Sequence, residues 1–507
     1  MAETAVPTIR PDSSARPLDL SRLHFVGIGG IGMLPVARVC AEQGHTVSGS
    51  DVRITDGLDE LARLGVRVYT GHRAGNVPAD ASAVVFTHAI AEDNPEIVAA
   101  RELGLPVVHR SAVLNGLMEV HARSIAVMGT HGKTSTAGML AFALARAGRQ
   151  PSYAIGGDLD VPGSGGHQGT AWGSFVAEVD ESDRSHLGVN MHVAVITNIA
   201  WDHPENYSSE DEVVDAFEEC IRLGLHERGK LVLDADSAGA RELASRLGSD
   251  GPRVVTFGFS PTADWRLSEP STQGRHTRSV LRGPHGGTYE LVLRTAGTHQ
   301  LLNAAAAIAS LDVLGVDCDE AVDQLGYFDG MVRRMTAAGE AAGVRVYDSF
   351  AHHPEEVEAD LAAARSLAGQ GRVITVFQPS GALRLEVFGD GFARALAGSD
   401  EVVLTDSTHS IVGALETLSE RIGGVSRGVV PDRAEGAPGR APRGPAGPRG
   451  GRYLGGGDNT TGAGGGGERG AGVGGSRGGG GRARGGGGGG GAPPRPAGRR
   501  GRADGPR

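Results

Sequence analysis

Seven consecutive residues, Gly129-Thr130-His131-Gly132-Lys133-Thr134-Ser135, place two glycines, a lysine and three hydroxyls between an apolar run and a helical one. Glycines let backbone N–H groups close on phosphate oxygens, a helix N-terminus favours the anion, and a lysine neutralises charge moving between phosphates. Composition singles out the lysine: of 49 basic residues, only Lys133 and Lys230 are not arginine. Val127 stands where the general phosphate-loop pattern has glycine, so this reading rests on GTHGKT in its strand–loop–helix context. The alternative is a glycine turn that merely caps a helix. Downstream, EVDESD (Glu178 to Asp183) and NIAWDH (Asn198 to His203) each close an apolar run. Carboxylates and a histidine at strand ends suit a magnesium–phosphate site, because magnesium takes oxygen ligands and shares them with phosphates. Alone, each would be a solvated strand end or a helix cap. A second glycine run, GIGGIGM (Gly27 to Met33), precedes Ser50 and Asp51 by about twenty residues, a spacing that suits a nucleotide's phosphates and ribose. Taken by itself it points to a nicotinamide-dependent oxidoreductase, which leaves GTHGKT unemployed.

Such residues need elements to position them. Apolar runs that end in glycines or carboxylates alternate with helical patterns in three successive units, which predicts α/β architecture with parallel sheets. The first unit, 22–122, contains HFV before the glycines, a helix from Met33 to Gln43, TVSGSD and AVVFTHA. The second, 123–325, opens with SIAVMG and a helix from Ser135 to Ala147, then runs through FVAEVD, VAVITNI, KLVLDAD and VVTFGF. It adds an antiparallel appendage between Asp264 and Thr295 and the helix HQLLNAAAAIASLDVLG. The third, 326–430, reads VRVYDSF, helix PEEVEADLAAARSLA, VITVFQP, helix GFARALAG, EVVLTD, helix ALETLSERI and SRGVV.

Residues 1–21 and 431–507 lack this pattern and are expected to be disordered. The tail from 431 holds 32 of the 82 glycines, with 14 arginines against 5 acids. Since the whole chain carries −11, the body is left near −20, which argues against a nucleic-acid-binding body. Nucleic-acid contact is not expected except through this Gly/Arg tail, whose favoured reading is a frame-shifted segment of a GC-rich gene and whose other readings are a solvated linker or an RNA-binding arm. No apolar run reaches the roughly 18 residues of a membrane helix, and no apolar leader is visible. Cys40, Cys220 and Cys318 are too scattered for a disulfide framework or a zinc site, so a cytoplasmic setting is expected.

In order along the chain, HFVGIGGIGM, GSD, GTHGKTST, AEVDESD, ITNIAWDH, GTHQLLNAAAA, Arg333-Arg334 and DSFAHHPEE resemble the motif set of the Mur ligases, over about residues 22–380. Within that family the pattern is similar to the alanine-adding branch of actinobacterial type. The resemblance implies three domains: an N-terminal Rossmann-like domain for a UDP-linked substrate, a central P-loop ATPase and a C-terminal Rossmann-like domain for the amino acid. It implies amide formation through an acyl phosphate in peptidoglycan precursor synthesis, with ATP and Mg2+ as cofactors. The implied partners are UDP-N-acetylmuramate and L-alanine, or another amino acid, for a monomer or homodimer that touches no membrane. Gly129, Thr130, His131, Gly132, Lys133, Thr134 and Ser135 would hold the ATP phosphates. Thr134, Glu178 and His203 would organise magnesium. His299, Gln300 and Asn303 would face adenine and ribose, although the family usually has asparagine at the position of Gln300. Arg333 and Arg334 would reach the phosphates from the third domain. His352 and His353 would stand close to the amino acid, unless HHPEE is simply a helix cap. Gly29, Gly30, Gly32, Ser50 and Asp51 become the UDP site, and catalysis falls to Lys133, Glu178, His203, Arg334 and His352.

Three segments depart from the family pattern. Ser380, Gly381, Ala382, Leu383 and Arg384 follow FQP where His-x-x-x-Arg is expected, leaving Arg384 to grip the amino acid's carboxylate. TDSTHSIVG replaces a YPARE-like segment. The closing strand and its GAGD-type loop are expected to be missing or reduced to GGGDNTT near Gly455, leaving an open sheet edge. Slow ligation of alanine, or preference for another amino acid, is the resulting expectation.

Overall fold

Parallel strands covered by helices on both faces tend to be apolar and buried; the first sheet shows this at its centre, in LHFV and AVVF, and less so in TVSGSD and RVYT, and has five strands. They are β1 (Arg22–Val26), β2 (Thr46–Asp51), β3 (Arg67–Thr70), β4 (Ala83–Phe86) and β5 (Val107–His109), ordered β3-β2-β1-β4-β5. The structure, a computed structural model, describes residues 17–159, 165–170, 172–406, 412–431 and 452–455. Leu23, Phe25, Val84 and Val85 are buried in the first sheet. Its strand order reverses between β1 and β4, and open parallel sheets bind ligands in the crevice beyond such a reversal. The glycine run leaves β1 there. Leu18 and Leu20, expected to lie in a disordered N-terminus, instead pack on the first core because apolar surface is on offer.

The central sheet comprises β6 (Arg123–Met128), β7 (Ser152–Ala154), β8 (Gly166–His167), β9 (Ser174–Glu178), β10 (Met191–Ile196), β11 (Leu225–Asp234), β12 (Arg253–Gly258), β13 (Trp265–Gln273), β14 (His276–Arg282) and β15 (Thr288–Leu293). Their order is β15-β14-β13-β12-β11-β10-β6-β9-β7-β8. β13, β14 and β15 pair antiparallel, forming the appendage read between Asp264 and Thr295. Two alanine-rich helices, Lys133–Arg146 and Thr298–Val313, bury Ala137, Ala141, Ala304 and Ala307 in one core. Such small side chains let the two backbones come close, which carries Asn303 up against the phosphate loop.

The third sheet holds β16 (Thr336–Ala341), β17 (Val344–Ser349), β18 (Ile374–Phe377), β19 (Glu401–Asp406), β20 (Ser426–Pro431) and β21 (Arg452–Gly455), ordered β16-β17-β21-β18-β19-β20. β21 corrects the expectation of a missing closing strand. It pairs parallel with both β17 and β18, so it is an interior strand, not a lost edge. Ladder hydrogen bonds on both sides need only a short extended segment, and RYLG supplies one inside a glycine-rich stretch. The remaining disorder expected for 1–16, 432–451 and 456–507 lies outside the described residues, as does 407–411 within TDSTHSIVG. Among the described residues, no helix is long and apolar enough to cross a membrane.

Candidate active site

β6 ends at Met128, and the helix Lys133–Arg146 begins after four loop residues, 129–132. Gly129 and Gly132 take φ of +118° and +81°, where a side chain would be strained. A Cβ on Gly132 would also strike the Asn303 amide. The turn therefore demands the two glycines that the sequence supplies. Lys133 does not project freely. Its Nζ donates to the carbonyls of Gly129 (2.7 Å) and Thr130 (3.2 Å) and to both carboxylate oxygens of Glu181, at 2.8 and 2.9 Å. Burial works against the ammonium, but Glu181 and Asp180 more than offset it and hold the Lys133 pKa above its ordinary value.

Acids from the end of β9 and His203 from beyond β10 gather round this lysine. Thr134 Oγ1 donates to Glu178 Oε1 at 3.0 Å, and Glu178 also accepts from the Gly156 N–H at 2.7 Å. Asp180, Glu181 and His203 offer ligand atoms within 4.8 Å of one another. Burial lifts the Glu181 carboxyl above its ordinary range in spite of Lys133, with Asp180 adding repulsion. Closely set carboxylates and a hydroxyl beside a phosphate loop fit a hard divalent cation such as Mg2+. The two sets are Thr134 with Glu178 and His203 with Asp180 and Glu181; sequence reasoning named only the cluster for these last two acids, because nothing in EVDESD says which carboxylate faces the lysine. His203 takes φ +54°, a strained conformation for histidine.

The third sheet's domain closes the other side. Arg334 Nη2 donates to Thr134 Oγ1 at 3.1 Å, whereas Arg333 turns to Asp348 (3.8 Å) and lies over the Phe350 ring. His131 sits 3.4 Å from Glu355 and 3.6 Å from Glu356. Burial opposes its charge, but these two carboxylates raise its pKa to about 9. His353 is both cap and candidate contact. Its Nδ1 accepts the Glu355 N–H, its ring lies 4.6 Å from that of His131, and its Nε2 is buried without a hydrogen-bond partner. Burial first, then His131, lowers its pKa to about 4, so the neutral ring carries its hydrogen on Nε2. His352 has the opposite tautomer. Its Nδ1 lies 2.9 Å from the Phe350 carbonyl and must donate, which leaves Nε2 a lone pair. Burial lowers its pKa as well.

Arg384 is already engaged. Its Nε and Nη2 donate to the two carboxylate oxygens of Asp202 at 3.0 and 3.1 Å, and Nη1 donates to Ser380 Oγ at 3.0 Å. Asp202 lies in the NIAWDH cluster, but its pairing with Arg384 was not legible in the sequence because the two residues stand 182 positions apart. His299, Gln300 and Asn303, expected on the adenine side, form a chain: His299 lies 3.1 Å from the Gln300 amide, Asn303 donates to Gln300, and Thr136 donates to Asn303. In the first domain, Gly29 N–H donates to Asp51 Oδ2 at 2.9 Å, and Gly30 N–H donates to the Gly27 carbonyl at 3.0 Å. Ser50 Oγ turns inward, donating to the buried Glu96 and lying 2.8 Å from His72 Nδ1. Gly32 has no Cβ, which leaves room for the Arg110 guanidinium.

Family models match in the same three-part order: "Mur ligase family, catalytic domain" over residues 22–122, "Mur ligase middle domain" over 127–311, and "Mur ligase, glutamate ligase domain" over 333–438. The chain belongs to the Mur ligase family. Similar Mur ligases include the UDP-N-acetylmuramate–L-alanine ligase of Streptomyces avermitilis, 44% identical over 391 residues (77% of this chain, 83% of that protein). The enzyme of that name from Streptomyces coelicolor is 45% identical over 390 residues, again 77% and 83% of the two chains. Among solved structures, the UDP-N-acetylmuramate-alanine ligase of Thermotoga maritima superposes with a TM-score of 0.71 at 29% identity, covering 86% of this chain and 96% of that one.

Proposed function

We propose that this Mur ligase joins L-alanine to UDP-N-acetylmuramate at the expense of ATP, through an acyl phosphate. The observation that carries the reading is convergence. The loop around Lys133, the acids after β9 and β10, and Arg334, His352, His353 and Arg384 from the third domain meet at one place, in a chain whose relatives bear that name. Phosphoryl transfer depends on positioning and charge stabilisation. Lys133 and Arg334 bring cations to the transferring group, Lys133 exchanging Glu181 for phosphate oxygens. When bound, Mg2+ would neutralise phosphate charge, held among Thr134, Glu178, Asp180, Glu181 and His203.

Amide formation needs a neutral amine, because an ammonium has no lone pair. His352, with an unprotonated Nε2 and a depressed pKa, serves as the base that takes the amine's proton. His353 Nε2–H is a buried donor with no partner and serves the amino acid's carboxylate, with Arg384 beside it if it leaves Asp202. His299, Gln300 and Asn303 hold the adenosine end. Gly29, Gly30, Gly32 and Asp51 form the UDP-side turn, with Ser50 supporting it from beneath. Both nucleotide substrates belong to the cytoplasm, where the enzyme would act. With β21 present, the grounds for impaired ligation narrow to Ser380, Gly381 and the TDSTHSIVG segment. The test is phosphate release with ATP, UDP-N-acetylmuramate and each of the twenty amino acids. Alanine should be fastest, and release independent of the UDP-sugar, or faster with another amino acid, would overturn the assignment.

A further inference from the structure

An aromatic contact crosses from the central domain to the third and has no role so far. Trp201, in the NIAWDH segment, meets Phe388, on the helix Ala382–Leu396, edge to face, with ring centroids 5.4 Å apart and planes at 68°. Phe388 stands four residues after Arg384, so the two share a face of that helix. Arg384 holds Asp202 and Phe388 holds Trp201, two ties side by side. Phe388 also meets the His353 ring, with centroids 5.0 Å apart.

His353 thus has two ring neighbours of opposite character. His131, 4.6 Å away, belongs to the phosphate loop and is charged, facing Glu355 and Glu356. Phe388 is apolar. An amino acid whose carboxylate takes the His353 Nε2–H has to divide its other groups between these two. Its amine must face the phosphate loop, where the acyl phosphate forms, which leaves its side chain to the Phe388 ring and out of water. Trp201 closes the space beyond. Aromatic centroids 5.4 Å apart are in contact, so no methylene fits between the two rings. Nor is Trp201 free to swing aside. Its indole N–H donates to the Tyr207 carbonyl at 2.8 Å, and Tyr207, 1% exposed, donates its hydroxyl to the Glu181 carbonyl at 2.6 Å. The wall is anchored to the acid that pairs with Lys133.

We propose that Phe388, braced by Trp201, sets the size limit for the amino acid's side chain, admitting a methyl group and turning away longer or branched ones. This rests on the ligase reading and on His353 as the carboxylate contact. Because the two rings come from different domains, the limit is imposed only when the third domain meets the central one.

Initial rates of phosphate release by the full chain, with ATP, Mg2+ and UDP-N-acetylmuramate, test the proposal. The amino acids are L-alanine, L-2-aminobutyrate and L-valine, and the variants are Phe388→Ala, Phe388→Leu and Trp201→Ala. One methylene in a fitted apolar pocket changes kcat/KM by about 10–200-fold. The wild type should prefer alanine to 2-aminobutyrate within that range, and Phe388→Ala should shrink the preference by about tenfold or more. Phe388→Leu should fall between the two, and Trp201→Ala should shrink the preference with Phe388 still in place. A change that merely loosens the fold scales all three amino acids alike and leaves their ratio where it was. A wild type indifferent among the three, or an unchanged ratio in the Phe388 variants, would overturn the proposal while leaving the ligase reading intact. Release from the wild type that needs no UDP-sugar would overturn that reading and the proposal with it. Should Phe388→Ala not fold, the ratio in Phe388→Leu decides.

Discussion

Replacing Lys133 by alanine should damage the protein twice, and the two effects can be separated. The side chain of Glu181 is only 3% exposed, and Lys133 is its ion-pair partner at 2.8 Å. A lysine reaching into an open phosphate site would be removable without harm to folding, but this one neutralises a buried carboxylate. Breaking a buried pair from one side costs about 3–5 kcal/mol, on the order of 10 °C in the melting of a domain of this size. Separately, losing a preorganised cation from the transferring phosphoryl group costs roughly 10²–10³ in rate. In Lys133→Ala, Glu181 keeps the burial and the Asp180 repulsion that raise its pKa and loses the lysine that lowered it. A carboxyl whose folded pKa lies above its unfolded value contributes stability that is present in acid and lost as pH rises through the folded pKa. The deficit of Lys133→Ala should therefore be smallest near pH 4 and largest at neutral pH. Adding Glu181→Gln removes the orphan charge, so Lys133→Ala/Glu181→Gln should regain most of the melting temperature and none of the turnover. Calorimetry across pH and initial-rate assays on the three variants measure this. A single mutant that melts like the wild type would refute the buried-pair argument. A folded single mutant with full turnover would refute the phosphate role.

Three more outcomes follow from contacts made by the third domain. Arg384→Ala removes both guanidinium hydrogen bonds from the buried Asp202 carboxylate and leaves it the His203 N–H, so kcat should fall at least tenfold and the third domain's helices should exchange amide hydrogens faster; unchanged exchange would refute the tie. His131, raised to about 9 by Glu355 and Glu356, gains stability that is full below its unfolded pKa near 6.5 and fades as pH climbs through 9. The stability gap between wild type and His131→Gln should close over that interval, and a pH-independent gap would show the histidine uncharged. Truncation after Val430 removes β21 from between β17 and β18; the third domain should become protease-sensitive and turnover should vanish, whereas an active truncated chain would show that the strand is dispensable.

Much of the scaffold was legible because the central parallel strands are short, largely apolar runs and the two packed helices are rich in alanine and leucine. The glycine turns were legible for a different reason, since a loop with φ near +81° at Gly132 accepts few other residues. Pairings were not. Lys133 with Glu181 spans 48 residues and Arg384 with Asp202 spans 182, and no local spacing encodes which acid a cation will meet. Composition also misled at β21, where RYLG is too short to stand out among glycines and is recruited by flanking strands. It misled again in the helix Ala382–Leu396, read as starting near Gly391. Gly389 looks like a breaker, yet it lies buried within the helix, where tertiary packing overrides its low helix propensity.

The central claim is that ATP activates a substrate carboxylate, and an oxygen isotope tests it most directly. UDP-N-acetylmuramate carrying ¹⁸O in its carboxylate is incubated with the full-length enzyme, ATP, Mg2+ and L-alanine, and the released phosphate is weighed by mass spectrometry. Transfer through an acyl phosphate moves one carboxylate oxygen into each phosphate, so the account predicts one ¹⁸O per phosphate for a fully labelled carboxylate, alongside the alanyl amide. Phosphate free of label, or labelled phosphate with no amide product, would contradict it.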